Sequence, residues 1–326
     1  MRVGFVYNVR SSGRSNLSSD DEAEFDDPAT IAAIGDAIAS HGHDVVRLEA
    51  DATLPMALVA ANVDVVFNIA EGRGSRSRES QVPALLDLLD LPYTGSDAVA
   101  LGVSLDKSLA KAVVRAVGVA TPLGIVMRVG DEPLPEDFGM PAVVKPLHEG
   151  SSKGITSDSV VTDEGQLRER ARAVIGRYGQ PVLCEEYVVG REITVGLLGS
   201  PARVLPPMEV TFIDPPEYPV YSFDVKRQWE RLVRYEVPAA LDDGALAAIT
   251  SASERAFAAL DCRDVARIDF RLDPSGVPHF LECNPLPGLG PHGHGLGDLT
   301  LIAESAGISF EGLIGEILDC ALRRMP

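Results

Sequence analysis

Two β-patterns follow one another along this sequence, and their order narrows the folds open to it. Over the first 68 residues, short apolar runs at 2–7, 44–48 and 64–68 alternate with helical stretches. Ile31, Ile34, Ala37 and Ile38 fall on one helical face, behind Pro28 as a first-turn residue and Asp26 or Asp27 as cap, and His41-Gly42 closes that helix. Strand, helix, strand, helix, strand predicts a parallel α/β lobe. A helix carrying Asp106, Lys107, Lys111 and Arg115 then ends at Gly118 and Thr121-Pro122, and the pattern changes. Strands are expected at 142–145, 182–186 and 192–195, with a helix at 163–178 between the first two. Strands at 265–272 and 279–283 and a closing helix at 299–323 complete the reading. About 150 residues per domain gives about two domains, and three small lobes are also allowed. The expected units are an N-terminal parallel α/β lobe (1–104), a central α+β lobe (105–190) and a C-terminal α+β lobe (191–326). The polar stretch 11–27 shows no apolar periodicity and reads as a loop or a lid.

Charge removes several function classes. Lys and Arg number 29 against 48 Asp and Glu, a net −19. So acidic a surface repels phosphate backbones and anionic lipid, so neither nucleic acid nor membrane is expected as a partner. Local Lys/Arg sites for a small anion remain open. No run approaches the ~18 apolar residues of a membrane span, and the first run is too short for a signal peptide. Cys184, Cys262, Cys283 and Cys320 form no Cys-x-x-Cys pair, which predicts a reducing, cytoplasmic compartment.

Two constellations carry chemistry. In the first, Lys145 ends a strand and Glu149-Gly150-Ser151-Ser152-Lys153-Gly154 follows. Glycine lets backbone approach, N–H and hydroxyl groups donate, and an ammonium neutralises oxygen charge, which suits a polyphosphate. No Walker A pattern occurs, and an ordinary turn with a solvated lysine is the alternative. In the second, alternation puts Arg267, Asp269 and Arg271 on one strand face, and Phe280, Glu282 and Asn284 on one face of the next. Asp273-Pro274-Ser275-Gly276 is a turn sequence, so a hairpin gathers Asp269, Glu282 and Asn284. Two carboxylates and an amide are hard ligands suited to Mg²⁺ shared with phosphates; the alternative is a hairpin's wet face. Gly288-Leu289-Gly290-Pro291-His292-Gly293 satisfies the dinucleotide pattern, yet Pro291 interrupts it and no helix opens on its glycines. His292 and His294 lack a third zinc ligand at sensible spacing and read as solvated loop residues.

In this order the motifs resemble ATP-grasp enzymes of the D-alanine–D-alanine ligase-like branch. The resemblance runs from Pro92-Tyr93-Thr94-Gly95-Ser96 and Ser104-Leu105-Asp106-Lys107, through Glu185-Glu186-Tyr187-Val188-Val189-Gly190-Arg191-Glu192, to Arg267-Ile268-Asp269 and Glu282-Cys283-Asn284-Pro285-Leu286-Pro287-Gly288. It implies an ATP-grasp fold with ATP between the second and third lobes. By it, Lys107 and Lys145 contact ATP phosphates, with Ser151 and Ser152 in a flexible loop above. Glu185, Glu186, Tyr187 and Val188 form the strand that reads adenine through backbone groups, with Glu192 on the ribose. Asp269, Glu282 and Asn284 hold two Mg²⁺ ions, for which Mn²⁺ can substitute. Arg267 and the Gly288 N–H stabilise developing negative charge, and Lys226 complements an acyl phosphate. The implied reaction joins a carboxylate to an amine through that acyl phosphate, releasing ADP and phosphate.

The amino-acid half departs from the pattern. Glu71 stands where the family has histidine, Lys226-Arg227 where it has Lys-Tyr, and Gly293 where it has a substrate-binding serine. Glu24 is the counterpart chosen for the family's ammonium-binding glutamate. Glu71 is expected to hold a substrate cation, or else to pair with Arg73 or Arg76; Arg227 is expected to meet a carboxylate. The reading is therefore a carboxylate–amine ligase for small molecules, with D-alanine–D-alanine ligation proper and a small-molecule kinase as alternatives. A homodimer is left open.

Overall fold

A computed structural model of the chain describes residues 1–10, 20, 22–74, 76–291 and 297–325. Most of the expected 11–27 lid, together with His292, Gly293 and His294, lies outside the described residues.

Strands β1 (Arg2–Tyr7), β2 (Asp44–Glu49) and β3 (Val65–Asn68) form a parallel sheet in the order β2-β1-β3. Helix α1 (Pro28–Ser40) starts where expected, with Asp27 accepting from the Thr30 N–H at 2.8 Å. Helices α2 (Leu54–Ala61) and α3 (Gln81–Leu88) complete the lobe. Asn8, just past β1, accepts from the Gly72 N–H at 2.9 Å and donates to the Ala50 carbonyl at 3.0 Å. One buried amide thus ties together the carboxyl ends of all three strands, the end at which open parallel sheets bind ligands.

Asp106 separates α4 (Ala98–Leu105) from α5 (Lys107–Ala116) and caps the latter, accepting from Ser108 and Leu109 N–H groups at 3.1 Å each. Strands β4 (Gly124–Met127), β5 (Ala142–Pro146), β6 (Val160–Val161) and β7 (Val182–Glu186) form an antiparallel sheet, order β4-β7-β5-β6. Helix α6 (Glu164–Tyr178) covers it, burying Leu167, Ala171 and Val174 with Val144 and Cys184.

The third sheet runs β11-β10-β8-β12-β13, with β9 paired to β8. Its strands are β8 (Arg191–Gly199), β9 (Ala202–Val204), β10 (Met208–Phe212), β11 (Val233–Glu236), β12 (Val265–Leu272) and β13 (Pro278–Asn284). Short helices α7 (Phe223–Arg227) and α8 (Trp229–Leu232) lie between β10 and β11, and α9 (Asp243–Ala259) packs on the sheet with α5. Described helices include none long and apolar enough to cross a membrane.

Two expectations need correction. The closing helix is two helices, α10 (Asp298–Ser305) and α11 (Phe310–Arg323). Gly307 between them takes φ +78°, which ends a right-handed helix, and Ser309 caps the next one through the Gly312 N–H. Phe280 does not share a face with Glu282 and Asn284. The β12–β13 register passes from Asp269↔Glu282 to Phe270↔Phe280, so Leu281 is bulged out. That extra residue turns the Phe280 ring into the core beside Phe270, ring centroids 6.1 Å apart, while the polar side chains stay on the wet face.

The first and third sheets share a core. Phe5, Ile34 and Phe67 pack in one cluster with Leu198, Leu299, Ile314 and Leu318.

Candidate active site

Two cavities of about 200 and 100 Å³ adjoin in the cleft between the sheets. The first is walled by the loops after β1 and β3 and by the turn after β13; the second lies between the second and third sheets. Ser151, Lys226, Arg267 and Asp298 line both, so these side chains mark where the cavities meet.

In the second cavity, Lys145 leaves the end of β5 only 5% exposed, its Nζ 2.5 Å from a Glu185 oxygen. The other Glu185 oxygen is 3.1 Å from Lys111, which reaches across from α5 and also donates to the Phe280 carbonyl at 2.8 Å. Burial alone would raise the Glu185 carboxyl, but the Lys111 and Lys145 charges hold it below its usual range. Burial dominates at Lys111 and pulls it down to about 8. Lys145 is therefore not the free ammonium expected at a strand end, and the Glu185 side chain neutralises two lysines. The N–H groups of Glu186 and Tyr187 are engaged by the Leu123 and Pro141 carbonyls, each at 2.9 Å. Val188 and Glu192 also line this cavity; Glu192 pairs with Arg271 at 3.2 Å, and the Arg271 guanidinium lies over the Tyr187 ring.

The hairpin gathers the expected metal ligands. Asp269 and Glu282 are direct register partners, and Asn284 faces Arg267. Asp269 accepts from Thr194 at 2.9 Å, Arg267 at 3.0 Å and Asn284 at 3.3 Å. Glu282 pairs with Lys107 at 3.3 Å; against burial, the charges of Lys107, Lys145 and Arg267 hold it down to about 2. Asp269 is pushed up by burial and by Glu282. Lys107 thus stands behind Glu282 and also donates to the Glu149 carbonyl. Among the described residues no three His, Cys, Asp or Glu side chains converge as a complete metal site. Two carboxylates and an amide on one wet face fit an ion whose remaining ligands are phosphate oxygens.

The loop after β5 is pinned rather than loose. The Gly150 N–H donates to Glu24 at 2.7 Å and Ser152 Oγ to the Tyr221 carbonyl at 2.7 Å, while Lys153 pairs with Glu149 at 3.1 Å. Ser151 and Ser152 hold φ +47° and +57°. The loop therefore ties the first lobe to the third above the cleft.

The first cavity is acidic. Glu24 lines it but is already committed, accepting two hydrogen bonds from buried Arg78 at 2.6 and 2.8 Å. Glu71 and Glu79 also face it. Glu71 does not pair with Arg73 or Arg76: Arg73 lies 3.7 Å from Glu49, and Arg76 3.3 Å from Asp106. Burial, then Glu24 and Glu79, push the Glu71 carboxyl well up, and burial lifts Glu79 to about 7. Asp26 is likewise lifted to about 7, by burial and by Asp27. Gly288 lies in the wall of this cavity. Arg227 does not: it is exposed and stacks on Phe223, because the short α7 turns Lys226 inward and the next residue out.

Lys111, Arg78, Glu79 and Asp298 were given no role in the sequence reading. The i, i+4 spacing of Lys107 and Lys111 on one helix was the available signal for Lys111.

The family model described as the D-ala D-ala ligase C-terminus matches residues 130–319. A D-alanine–D-alanine ligase of Anaeromyxobacter sp. (strain Fw109-5) is 34% identical, the match covering 90% of this chain and 91% of that protein. One from Aquifex aeolicus is 35% identical, covering 88% and 92%. An uncharacterised protein of Sinorhizobium fredii is 34% identical over 99% of this chain and 98% of its own length. In fold, the chain resembles the D-alanine–D-alanine ligase of Bacillus anthracis crystallised with ATP, with TM-score 0.76, 23% identity, and 99% and 98% covered.

Proposed function

Because the chain belongs to the D-alanine–D-alanine ligase family and is an ATP-dependent carboxylate–amine ligase, we propose how its own residues divide that work. The meeting of two cavities at Ser151, Lys226, Arg267 and Asp298 carries the assignment. ATP occupies the second cavity, its adenine against Glu186 to Val188. Since the Glu186 and Tyr187 N–H groups are spent, the Val188 N–H is the donor left to meet the base. Lys145 and the Ser151 and Ser152 hydroxyls face the phosphates, and Glu192 the ribose. Asp269, Glu282 and Asn284 would hold Mg²⁺, and the ion would neutralise phosphate charge there.

The donor carboxylate lies in the first cavity, its cationic group drawn to Glu71 and Glu79. At the junction Arg267 and Lys226 stabilise the charge that develops as the carboxylate takes the phosphoryl group, with the Gly288 N–H directed at the oxyanion. Arg267 is pre-set for this by ion pairs to Asp269 at 3.0 Å and Asp298 at 3.2 Å. Four unpaired thiols support a reducing, cytoplasmic setting.

The test is a coupled ADP-release screen over pairs of amino acids, β- and D-forms included. ADP release that requires two components, with phosphate as co-product, is expected. ADP release with one component and a stable phosphorylated product would make the protein a kinase instead. Efficient formation of D-alanyl-D-alanine, above every other pair, would make the protein a D-alanine–D-alanine ligase proper.

A further inference from the structure

We infer that Asp298 docks the acceptor amine in its ammonium form and takes the proton that the amine must shed before it attacks, an inference that deepens the ligase reading and rests on it. Asp298 is the first residue of α10 and only 6% exposed. One oxygen is spent on Arg267 at 3.2 Å. The other, Oδ1, is buried and has no hydrogen-bond partner among the described residues. Buried carboxylate oxygens are nearly always satisfied, so one left open in a cavity wall calls for a donor brought by a ligand.

Its position says which ligand. Of the side chains lining both cavities, Lys226 and Arg267 are cations and Ser151 a hydroxyl, all suited to anionic oxygens. Asp298 is the one acid among them. It repels both the transferring phosphate and the donor carboxylate, and it attracts the remaining reactant, an amine that arrives protonated. Glu71 and Glu79 line the first cavity alone and Glu192 the second alone, so none of them stands where the acyl phosphate forms.

The step balances. The ammonium gives one proton to Asp298 Oδ1, which passes it to solvent. The freed nitrogen lone pair forms the C–N bond at the acyl carbon, the C–O bond to phosphate breaks with its electron pair, and a second nitrogen proton leaves with the phosphate. Acyl phosphate and ammonium thus become amide, hydrogen phosphate and one released proton.

Hydroxylamine separates this role from the others, because near neutral pH it is uncharged and needs no base. Wild-type protein with ATP, Mg²⁺ and hydroxylamine is first given each amino acid as donor; hydroxamate identifies a donor without any native acceptor. With that donor, D-alanine, glycine and β-alanine then serve as ammonium acceptors. Asp298→Asn, whose amide oxygen can still accept from Arg267, is expected to lose at least 100-fold in kcat/KM for the ammonium acceptors. The loss with hydroxylamine should be at least tenfold smaller, and Asp298→Glu should recover part of the difference. Equal losses with both kinds of acceptor, or no loss, would overturn the inference and leave the ligase standing. An Asp298→Asn protein that fails to fold is replaced by Asp298→Ser under the same comparison. If wild-type protein forms no hydroxamate with any donor, the ligase reading itself falls and takes this inference with it.

Discussion

Glu185→Gln removes the one carboxylate that neutralises two buried lysines, and the cost can be worked from the geometry. At an effective dielectric of about 20, contacts of 2.5 and 3.1 Å correspond to Coulomb terms of roughly 7 and 5 kcal/mol before any desolvation is counted. Much of that sum repays desolvation, and breaking a buried ion pair from one side costs ~3–5 kcal/mol in practice. A second route gives a similar figure. The variant escapes part of the penalty by deprotonating one lysine, and at about pH 7.5 that costs about 1.4 kcal/mol for each of the ~3 units below the unfolded lysine value, or ~4 kcal/mol. Such a loss is a large share of the ~5–15 kcal/mol that keeps a domain folded. The sign with pH follows. A lysine whose folded value is depressed leaves the unfolded chain holding more protons, so stability rises with pH up to its ordinary value near 10.4. Urea unfolding followed by the fluorescence of the single tryptophan, Trp229, measures this. The expected result is a loss of ~3–5 kcal/mol at about pH 7.5 that shrinks by up to about 1 kcal/mol towards about pH 9, because wild-type Lys111, held down to about 8, gains in the same sense from there on. Adding Lys111→Met should restore ~2 kcal/mol or more by removing the second unpaired charge. A loss under about 1 kcal/mol at neutral pH, or one that does not shrink as pH rises, would refute the account of the Lys111–Glu185–Lys145 triad.

Glu282→Gln should lower turnover by ~10²-fold or more, since it removes one of two carboxylates from the face proposed to hold the metal; near-normal turnover at ordinary Mg²⁺ would dismiss the assignment. Glu79→Gln should stabilise the fold above about pH 7 while weakening donor binding. Its carboxyl titrates at about 7, so stability that it contributes below its ordinary value is lost as pH rises to 7, by up to ~3 kcal/mol. Thermal melts at about pH 5 and pH 8 should therefore converge in the variant, and an undiminished pH gap would contradict this.

The parts of the site that announce themselves in sequence are those that use local pattern. Lys145 before its glycine-and-serine loop, and Asp269 with Glu282 and Asn284 across a turn, were legible because strand alternation and turn chemistry act over a few residues. The bulge at Leu281 was not legible, since one extra residue inverts the alternation with no change of composition. Glu185 and Glu186 are neighbours of the same type, and only packing against α5 shows that the first neutralises two lysines while the second accepts from the Gly139 N–H at 2.6 Å. The break at Gly307 was visible, as a glycine two residues before a serine cap, but the apolar repeat runs through it and concealed it. Glu24 lines the first cavity, and its capture by Arg78, 54 residues away, follows from the folded chain alone.

The core shared by the first and third sheets has a consequence for how the protein is made. Phe5, Ile34 and Phe67 leave the ribosome long before Leu299, Ile314 and Leu318, which complete their packing. At ~5–20 residues per second, the gap of about 230 residues keeps the first sheet half-covered for on the order of ten seconds or more. During that interval its apolar face and its open edge, β2, are exposed to other nascent chains, while the Pro92–Thr94 segment already covers β3. Chaperone cover over this interval is therefore expected to raise the yield of native protein. A chain interrupted before α11 leaves the N-terminal lobe without Ile314 and Leu318 to complete its core.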